Sequence, residues 1–595
     1  MLNKFSILIL SVFFLSTYHN FSFTETKARN ILIYQTTNIF NTDYLLQNIP
    51  LKQNIPISNQ ILESTLAKLN QLYQNDCYFD AQIVLDSISI TKDSASADIF
   101  MTITPGKQYI IDKISIIGNT YFNVDELSNL MQTKPGICLN KNTIESDIEN
   151  ILSLYETNGF PWATIKINSI QLNDSNKTIA IELEIDEKGR AKIDEVKIEG
   201  NKETKSSVII REMRINPGEI YNHQKFKKIP TRLQKMQLFE NIEEPILFVI
   251  KNLDTNQKKE KNGSNESINI ISSGILIKLT EGNANYFDGL IGYLPGSLQE
   301  NGYFIGTAEI SMRNLFGTAR KLNFKWSKDE RFSQEIGIKY TEPWLIGYPI
   351  NLKGTFFQRK QDTTYIKRFA ELKTEFMISD LFSASTIISQ ENIIKSNTSN
   401  RTQLFNSGIL SLGFELQYDT RDYIYNPTSG IFYKNDYFYG RKKIYLLSQS
   451  ISVQRYGLDL EFYKSILPKQ VIMLSIHGKQ VNSSRIEISD MYRLGGTNTL
   501  RGYRENQFLG SRIYWSNFEY RFLLASRSFF YGFFDMGYYY RKIPEANEKA
   551  EAFKLGYGIG IRVRTTLGTI GISLALGKGD NLNQTKIHFG LINEF

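Results

Sequence analysis

The ten residues LGYGIGIRVR at positions 555–564 carry the pattern that decides the fold. Bulky apolar side chains stand at every second position from Leu555 to Val563, and glycine or arginine fills the positions from Gly556 to Arg564. Successive side chains of a β-strand point to opposite faces, so this strand has one apolar face and one face that bears charge. Such a strand predicts a wall that meets lipid on one side and water on the other.

The same two-residue alternation continues through most of residues 285–595, and 569–576 shows it again. The alternating segments are about ten residues long, as in a membrane barrel. Polar turns at 314–317, 426–430 and 577–580 separate some of them. Dividing the sequence at such turns predicts an all-β, antiparallel transmembrane barrel of about sixteen strands, and an even number returns both chain ends to the same side.

The composition agrees with a barrel and argues against two other classes. The chain has 33 tyrosines and 38 phenylalanines but a mean hydropathy of −0.29, which is too polar for a bundle of membrane helices. The net charge of +8 is spread along the chain without a basic stripe, so nucleic acid is not expected as a partner. Lys4 precedes the apolar run Phe5–Leu15, which predicts a secretory signal over residues 1–23.

Before the predicted barrel, the sequence repeats itself with a period of 82 residues (193 − 111). Ile111-Asp112-Lys113-Ile114 returns as Ile193-Asp194-Glu195-Val196, and Leu154-Tyr155 is matched one period earlier by Leu72-Tyr73. The period therefore predicts three α+β units, at residues 27–109, 110–190 and 191–280.

Each unit has the predicted order strand, helix, helix, strand, strand. This order and spacing resemble polypeptide-transport-associated (POTRA) domains over about residues 27–280. The resemblance implies periplasmic units that receive unfolded clients, and an edge strand offers unpaired backbone groups to an extended peptide. The alternative interpretation is that the units are only spacers, since edge strands are common.

Short motifs in the second half carry another resemblance. One is the segment 494–503, which ends in Leu500, Arg501, Gly502 and Tyr503; the others are 340–344, 419–422 with 427–430, and 533–537. Together they resemble the BamA/TamA outer-membrane protein assembly factor family over about residues 285–595. Three repeats place the chain nearest to the TamA-like type of that family.

The family resemblance implies a loop folded into the barrel whose arginine bonds an acid of the inner wall. The matching positions are Arg501 and Asp535, and Glu519 is a second candidate. Asp535 lies between Phe534 and Met536, so alternation directs its side chain to the interior. The alternative is that Arg501 is one solvated charge of a long loop, where ion pairs are weak.

The chain ends on an alternating strand. Ile587, Phe589, Leu591 and the terminal Phe595 share one face. This arrangement resembles the C-terminal recognition signal of outer-membrane barrels.

No catalytic or metal-binding constellation stands out in the sequence. His223, His477 and His588 show no His-x-x-x-His spacing. Ser475 and His477 would share an inner face, but no Gly-x-Ser-x-Gly elbow accompanies them, so we interpret both as lining of the lumen. The sequence predicts no enzyme activity, no cofactor and no metal.

The chain has two cysteines, Cys77 and Cys138, at positions that are not equivalent within the repeats. We interpret them as two separate small core residues, with a disulfide as the alternative.

The two resemblances imply a barrel in the outer membrane with its repeats in the periplasm. We expect the chain to insert or translocate unfolded outer-membrane proteins through a lateral seam between the first and last strands. Membrane lipids and accessory subunits of the periplasm or inner membrane are further partners to consider. Two alternatives stay open: an export pore of the two-partner-secretion type with one dedicated substrate, and a passive or ligand-gated porin.

Overall fold

The computed structural model describes residues 26–592 except 93–94, 251–258, 262–266, 295–301, 329–330, 397–403, 424–425, 526–527, 544–547 and 566–567. The predicted signal sequence, residues 1–23, and the terminal Phe595 lie outside the described residues.

The first two repeats share one topology. Each has a three-stranded sheet whose central strand is the last in sequence, parallel to the first strand and antiparallel to the second. The first repeat consists of β1 (Lys27–Gln35), α1 (Thr42–Asn48), α2 (Asn59–Asn75), β2 (Gln82–Ile90) and β3 (Ser96–Thr104). The second consists of β4 (Ile110–Ile117), α3 (Val124–Leu130), α4 (Lys141–Thr157), β5 (Thr164–Asn173) and β6 (Thr178–Asp186).

The longer helix of each repeat packs one face into the core because apolar residues recur at helical spacing. In α2 this face includes Leu62, Leu69 and Tyr73. The helix begins where the Ser58 hydroxyl accepts a hydrogen bond from the backbone N–H of Ile61. One period later, α4 buries its corresponding face in the same way.

A glycine ends the first strand of the second and third repeats, one period apart. Gly118 has φ +82°, and a Cβ atom there would lie 2.2 Å from the Ile185 carbonyl oxygen. Gly200 has φ +96°, and its Cβ would lie 1.8 Å from the Leu279 carbonyl oxygen. Only glycine tolerates both the left-handed backbone and the close approach, which explains why the repeat keeps it.

The structure corrects the interpretation of the cysteines. Cys77 and Cys138 form a disulfide, with their Cα atoms 5.8 Å apart. Cys77 follows the second helix of the first repeat, and Cys138 precedes the second helix of the next. Consecutive repeats meet at these non-equivalent ends, where Lys177 Nζ also lies 2.7 Å from Asp80 Oδ2. Adjacent thiols are expected to be oxidised in an exported protein.

The third repeat has a larger sheet, in which one long strand pairs with four others. That strand is β11 (Ser267–Glu281), and its partners are β7 (Arg190–Glu199), β8 (Phe239–Ile242), β9 (Ile246–Val249) and β10 (Lys259–Lys261). The helices of this repeat are α5 (Ser206–Met213), α6 (His223–Lys227) and α7 (Ile229–Lys235). Within the described part of the chain, no helix has both the length and the apolar character needed to cross a membrane.

The second half forms a sheet of sixteen strands, so the predicted number is confirmed. The strands pair antiparallel in sequence order, apart from a small hairpin of β23 (Tyr492–Leu494) and β24 (Phe508–Gly510). The sheet contains β12 (Asn285–Leu294), β13 (Tyr303–Leu315), β14 (Arg320–Lys328), β15 (Gln334–Glu342), β16 (Ile350–Gln361), β17 (Tyr365–Met377), β18 (Phe382–Lys395), β19 (Ser407–Asp419), β20 (Gly430–Ile444), β21 (Gln449–Leu467), β22 (Gln470–Ser483), β25 (Arg512–Ala525), β26 (Ser528–Ile543), β27 (Glu548–Thr565), β28 (Gly568–Gly577) and β29 (Lys586–Ile592).

The two faces of this sheet differ as the alternation predicted. On β26, Phe534 and Met536 are exposed on the outer face, whereas Asp535 between them is fully buried. On β27, Tyr557 and Ile559 are likewise exposed on the outer face. A continuous apolar outer surface of this kind is suited to contact with lipid.

The inner face of the sheet encloses the segment between β22 and β25, which we call the inner loop (residues 484–511). This loop contacts strands that are far apart in the strand order. Lys367 Nζ on β17 donates to the Ser489 carbonyl oxygen at 3.3 Å, and the Tyr503 hydroxyl donates to the Leu555 carbonyl oxygen on β27 at 3.0 Å. The sheet is therefore curled around the loop as a barrel, with β12 and β29 as its two end strands.

Candidate functional site

Arg501 of the inner loop is held by two acids of the barrel wall. Its Nε and Nη2 donate to the two carboxylate oxygens of Asp535 on β26, at 2.8 and 2.7 Å. Its Nη1 donates to Glu519 Oε1 on β25 at 2.6 Å, and Glu519 Oε2 accepts from Arg521 Nε at 2.8 Å. The structure thus brings together the three residues that the sequence proposed, and adds Arg521. We call these four residues the Arg501 cluster.

The Arg501 cluster is shielded from water. Its four side chains are almost completely buried. The guanidinium carbon of Arg501 lies 3.8 Å from the ring centroid of Phe533, and that of Arg521 lies 4.8 Å from the ring centroid of Phe529. Forked, charge-assisted hydrogen bonds and cation–π contacts are strong in such surroundings. Removing one partner would leave uncompensated buried charge.

The neighbours of Arg501 fasten the loop to the last strands. Gly502 has φ +90°, and a Cβ atom there would lie 2.6 Å from the Leu576 carbonyl oxygen on β28. The backbone N–H of Gly502 donates to His588 Nε2 on β29 at 3.1 Å. Leu500 is fully buried in a small apolar cluster with Leu494. The four-residue motif therefore bonds or packs against the wall along its whole length.

His588 was not singled out by the sequence as a residue of the site. Alternation did place it on the face opposite Ile587, and the structure has His588 nearly buried while Ile587 is exposed. Phe589 and Leu591 lie in β29, but their side chains, like Phe595, are outside the described residues. The last strand thus enters the site through its inner face, whereas the recognition signal predicted for its outer face stays a prediction.

A second ion cluster holds the other part of the inner loop, and the sequence did not reveal it. Lys442 on β20 is fully buried, with Nζ 2.7 Å from Asp490 Oδ2 and 3.4 Å from Glu487 Oε2. The sequence feature that could have indicated this cluster is a lysine, Lys442, at an inward position of an alternating strand. The inner loop is therefore fixed at two separate places on the wall.

The periplasmic mouth of the barrel is in contact with the third repeat. Arg232 of α7 donates through Nε and Nη2 to the two carboxylate oxygens of Asp380, in the turn between β17 and β18, at 2.9 and 3.0 Å. We call this pair the mouth contact. Burial favours a higher pKa for Asp380, but the Arg232 hydrogen bonds and the charges of Arg232, Arg214 and Lys228 lower that pKa below its ordinary value.

Two neighbouring turns of the barrel bind the third repeat as well. Trp344, the last residue of one family motif, donates Nε1 to Glu212 Oε1 at 2.8 Å. Asn314 donates Nδ2 to Thr204 Oγ1 at 2.9 Å. The pKa of Glu212 is raised because burial outweighs the opposing effect of the Trp344 hydrogen bond. The Trp344 contact gives a physical reason for the family motif at 340–344, and the Asn314 contact gives one for the polar turn at 314–317.

A cavity of about 1160 Å³ lies between the mouth contact and the inner loop. Side chains of the third repeat and of the inner wall line it, together with Asn498 of the inner loop. Nine of the lining residues are basic and six are acidic. The mouth contact and the inner loop therefore border one charged space in the lumen.

Ser475 and His477, which share an inner face, each bond a different residue. Ser475 Oγ donates to Asn517 Oδ1 at 3.2 Å, and His477 Nδ1 lies 2.7 Å from Asp459 Oδ1. His477 also stacks on Trp515. Over the described residues, no group of three or more His, Cys, Asp and Glu side chains is arranged to hold a metal ion.

Comparison with known families finds a match in each half of the chain. The Omp85 superfamily domain matches residues 314–595, and the surface antigen variable number repeat, a POTRA family, matches residues 109–188 and 191–270. The first repeat, residues 27–104, has the same topology as the second.

Similar proteins agree with this identification. The outer membrane protein assembly factor BamA of Neisseria meningitidis is 22% identical over 496 residues, covering 77% of this chain and 58% of that protein. BamA of Nitratidesulfovibrio vulgaris is 20% identical over 582 residues, covering 90% of this chain and 68% of that protein. Matched segments cover 38, 58 and 44% of three curated relatives, so the chain spans only part of their length.

A solved structure supports the fold alone. CdiB from Escherichia coli gives a TM-score of 0.50 at 12% identity, covering 87% of this chain and 94% of that one.

Proposed function

Because residues 314–595 match the Omp85 superfamily domain, we propose that this chain is an assembly factor that inserts unfolded proteins into the outer membrane. The barrel lies in the outer membrane, and the repeats face the periplasm. The three repeats are the reason for which we propose the TamA-like type of this family. The domain limits proposed from the sequence are 27–109, 110–190, 191–280 and 285–595, after a signal over 1–23.

The observation that carries the proposal is the position of the inner loop beside the last strands. Arg501 bonds Asp535 on β26, and the adjacent Gly502 bonds His588 on β29. Since β29 is an end strand of the sheet, the loop holds one border of the seam at which a client strand would pair. An opened seam exposes backbone N–H and C=O groups that can template an incoming strand.

The first two repeats offer surfaces for client capture. The strands β2 and β5 are edge strands of their sheets. Val84 and Ile90 on β2, and Ile170 and Leu172 on β5, are exposed apolar side chains. An edge strand with apolar side chains can add an extended client strand through backbone hydrogen bonds. The repeats would then deliver extended clients to the barrel.

No covalent step and no cofactor are part of the proposal, and we propose no enzyme activity. The free energy comes from the client, because a closed barrel satisfies all its backbone hydrogen bonds in lipid whereas an unfolded strand does not. The role of this chain is to lower the kinetic barrier, with unfolded clients and membrane lipids as its partners. Accessory subunits are a separate question that co-purification would answer.

Depletion of the protein, followed by an inventory of the outer-membrane proteome, tests the function in cells. Broad loss of barrel proteins is the expected result. Loss of a single exported protein would instead favour the two-partner-secretion alternative. Unchanged protein levels, together with ion conductance by the purified barrel, would favour a porin and contradict the proposal.

A further inference from the structure

A groove of about 390 Å³ crosses the outer face of the barrel over β21, β22, β25, β26 and β27. Gly478 and Ser516 form its floor, because they are the outward positions without bulky side chains. Its walls are apolar and aromatic, formed by Tyr456, Ile476, Tyr514, Met536, Tyr538 and Phe553. Phe553 contacts the ring of Tyr538 and still exposes 78% of its surface. The groove therefore opens directly to lipid.

The groove lies in the outer half of the barrel wall. The repeats precede β12, so β12 begins at the periplasmic side and the connection from β12 to β13 lies on the opposite side. Every second connection after it lies on that opposite side as well. The connection from β22 to β25, which is the inner loop, is one of these. Tyr514 is the third residue of β25, close to that end. Tyr538 is likewise in the last third of β26, which runs toward the same end. A lipid in this groove would belong to the outer leaflet.

Basic side chains lie next to the groove, at the strand ends that face away from the periplasm. Arg512 precedes Tyr514 by two residues on the same face, and its guanidinium lies 5.3 Å from the ring centroid of Tyr540. Lys542 pairs directly with Lys549 across β26 and β27. Like charges in directly opposite positions are unfavourable in a sheet unless an anion joins them.

The only acid described close to these cations is already engaged. Glu551 Oε1 lies 3.0 Å from Lys549 Nζ, and Glu551 Oε2 accepts from the Tyr538 hydroxyl at 3.2 Å. Among the residues that the structure describes, Arg512 and Lys542 have no carboxylate within ion-pair distance. The rim of the groove therefore presents two cations to the headgroup layer of the membrane.

We infer that this groove is a binding site for one outer-leaflet lipid, with an acyl chain in the groove and an anionic headgroup on Arg512 and Lys542. Acyl chains of any lipid can fill an apolar groove in a bilayer, so the groove alone gives little selectivity. Selectivity for an anionic lipid comes from the two cations, whose attraction to phosphate acts at the headgroup level. The site does not depend on client insertion, so a failure here leaves the proposed function intact.

Native mass spectrometry of the full chain in detergent tests the site. The protein is titrated with phosphatidylglycerol and, separately, with zwitterionic phosphatidylcholine of the same acyl chains. The wild type is expected to retain one phosphatidylglycerol in preference to phosphatidylcholine. The double variant Arg512→Gln, Lys542→Gln should bind that phosphatidylglycerol about 30-fold more weakly, because each of the two cations contributes about 5-fold to the attraction of an anionic headgroup.

Two variants distinguish the contribution of the groove to lipid binding from that of the cations at its rim. Ser516→Leu fills the floor and should weaken binding of both lipids, whereas Arg512→Lys keeps the charge and should retain the preference. The matched controls are Lys360→Gln, an exposed outward lysine of β16, and Gly532→Leu, an outward glycine of β26 with open space beside it. Heat-modifiable gel mobility checks that each variant is folded.

The inference is overturned if the wild type binds the two lipids equally. It is also overturned if folded Ser516→Leu and the folded double variant both bind phosphatidylglycerol as the controls do. A loss of preference in the Lys360→Gln control would equally contradict it, because the selectivity would then come from charge in general.

Discussion

Two arginine–aspartate pairs in this protein have almost the same hydrogen-bond geometry but very different surroundings. Arg501 and Asp535 inside the barrel expose 4% and 0% of their side chains, whereas Arg232 and Asp380 at the mouth expose 12% and 19%. Charges attract more weakly where water is near. We expect burial, rather than bond length, to make the first pair the firmer anchor of the two.

This difference in burial agrees with the proposed role in inserting client proteins. The Arg501 cluster holds the inner loop beside the end strand β29, where a stable template is needed. The mouth contact joins the third repeat to the turn before β18, at the border of the lumen cavity. We propose that a weaker contact there lets the entrance change while the template stays in place.

Breaking the buried pair should have the largest effect. Arg501→Ala leaves Asp535 buried without its guanidinium partner and Glu519 with only Arg521, which costs about 3–5 kcal/mol of stability. We expect a lower temperature for the loss of heat-modifiable gel mobility and slower client insertion. The control is Arg504→Ala, an exposed arginine of the same loop, which should leave both unchanged. Wild-type behaviour of Arg501→Ala would show that the cluster is not an anchor.

The disulfide provides a third case, because the strength of a covalent bond does not depend on the exclusion of water. Replacing both Cys77 and Cys138 by serine should lower the stability of the first two repeats by about 2–4 kcal/mol. Hydrogen exchange over residues 26–186 should therefore become faster, while exchange in the barrel strands stays unchanged. Reduced wild-type protein serves as the comparison and should match the double variant. Equal protection in all three samples would argue against a stabilising role for the disulfide.

Breaking the exposed pair should have a smaller effect. Asp380→Asn removes the charge that faces Arg232 and should weaken the mouth contact by about 1–2 kcal/mol, given the partial exposure of both side chains. Hydrogen exchange in α7 should increase while that of β26 does not. Glu244→Gln, an exposed acid of the same repeat, is the matched control. If exchange in β26 rises as much as in α7, the two pairs are not independent.

Lowering the pH should weaken the mouth contact without any substitution, and we expect this effect to be the smallest. The pKa of Asp380 lies below its ordinary value of 3.8 because Arg232, Arg214 and Lys228 outweigh its burial. A lowered pKa means that the stabilisation is complete above 3.8 and is lost as the pH falls through the lower, folded value. Exchange in α7 of the wild type should rise below this pH, and Asp380→Asn should show no such rise. A rise above pH 3.8 would contradict the assignment to Asp380.

Local patterns in the sequence were enough to predict much of the fold. The alternation at 555–564 specifies a strand with two different faces, and the 82-residue period specifies repeated units, because both patterns arise from neighbours in the chain. The resemblance to a known family then led to Arg501, Asp535 and Glu519, which the structure places in contact.

The remaining contacts could not be predicted because they join distant and non-equivalent positions. Arg232 and Asp380 are 148 residues apart, and nothing in either local sequence indicates the other. Cys77 and Cys138 meet only because consecutive repeats touch at different ends. Alternation is sufficient to assign Lys442 and His588 to the inner face once their strands are known, but their partners depend on the path of the inner loop, which has no periodicity.

Insertion of a urea-unfolded outer-membrane barrel into liposomes that contain this chain tests the central claim most directly. The fraction of folded client is followed over time by its heat-modifiable gel mobility. We predict that the wild type and Arg504→Ala accelerate folding over empty liposomes, and that Arg501→Ala does not. Folding that is no faster with the wild type than in empty liposomes, or equally fast with Arg501→Ala, would contradict the account.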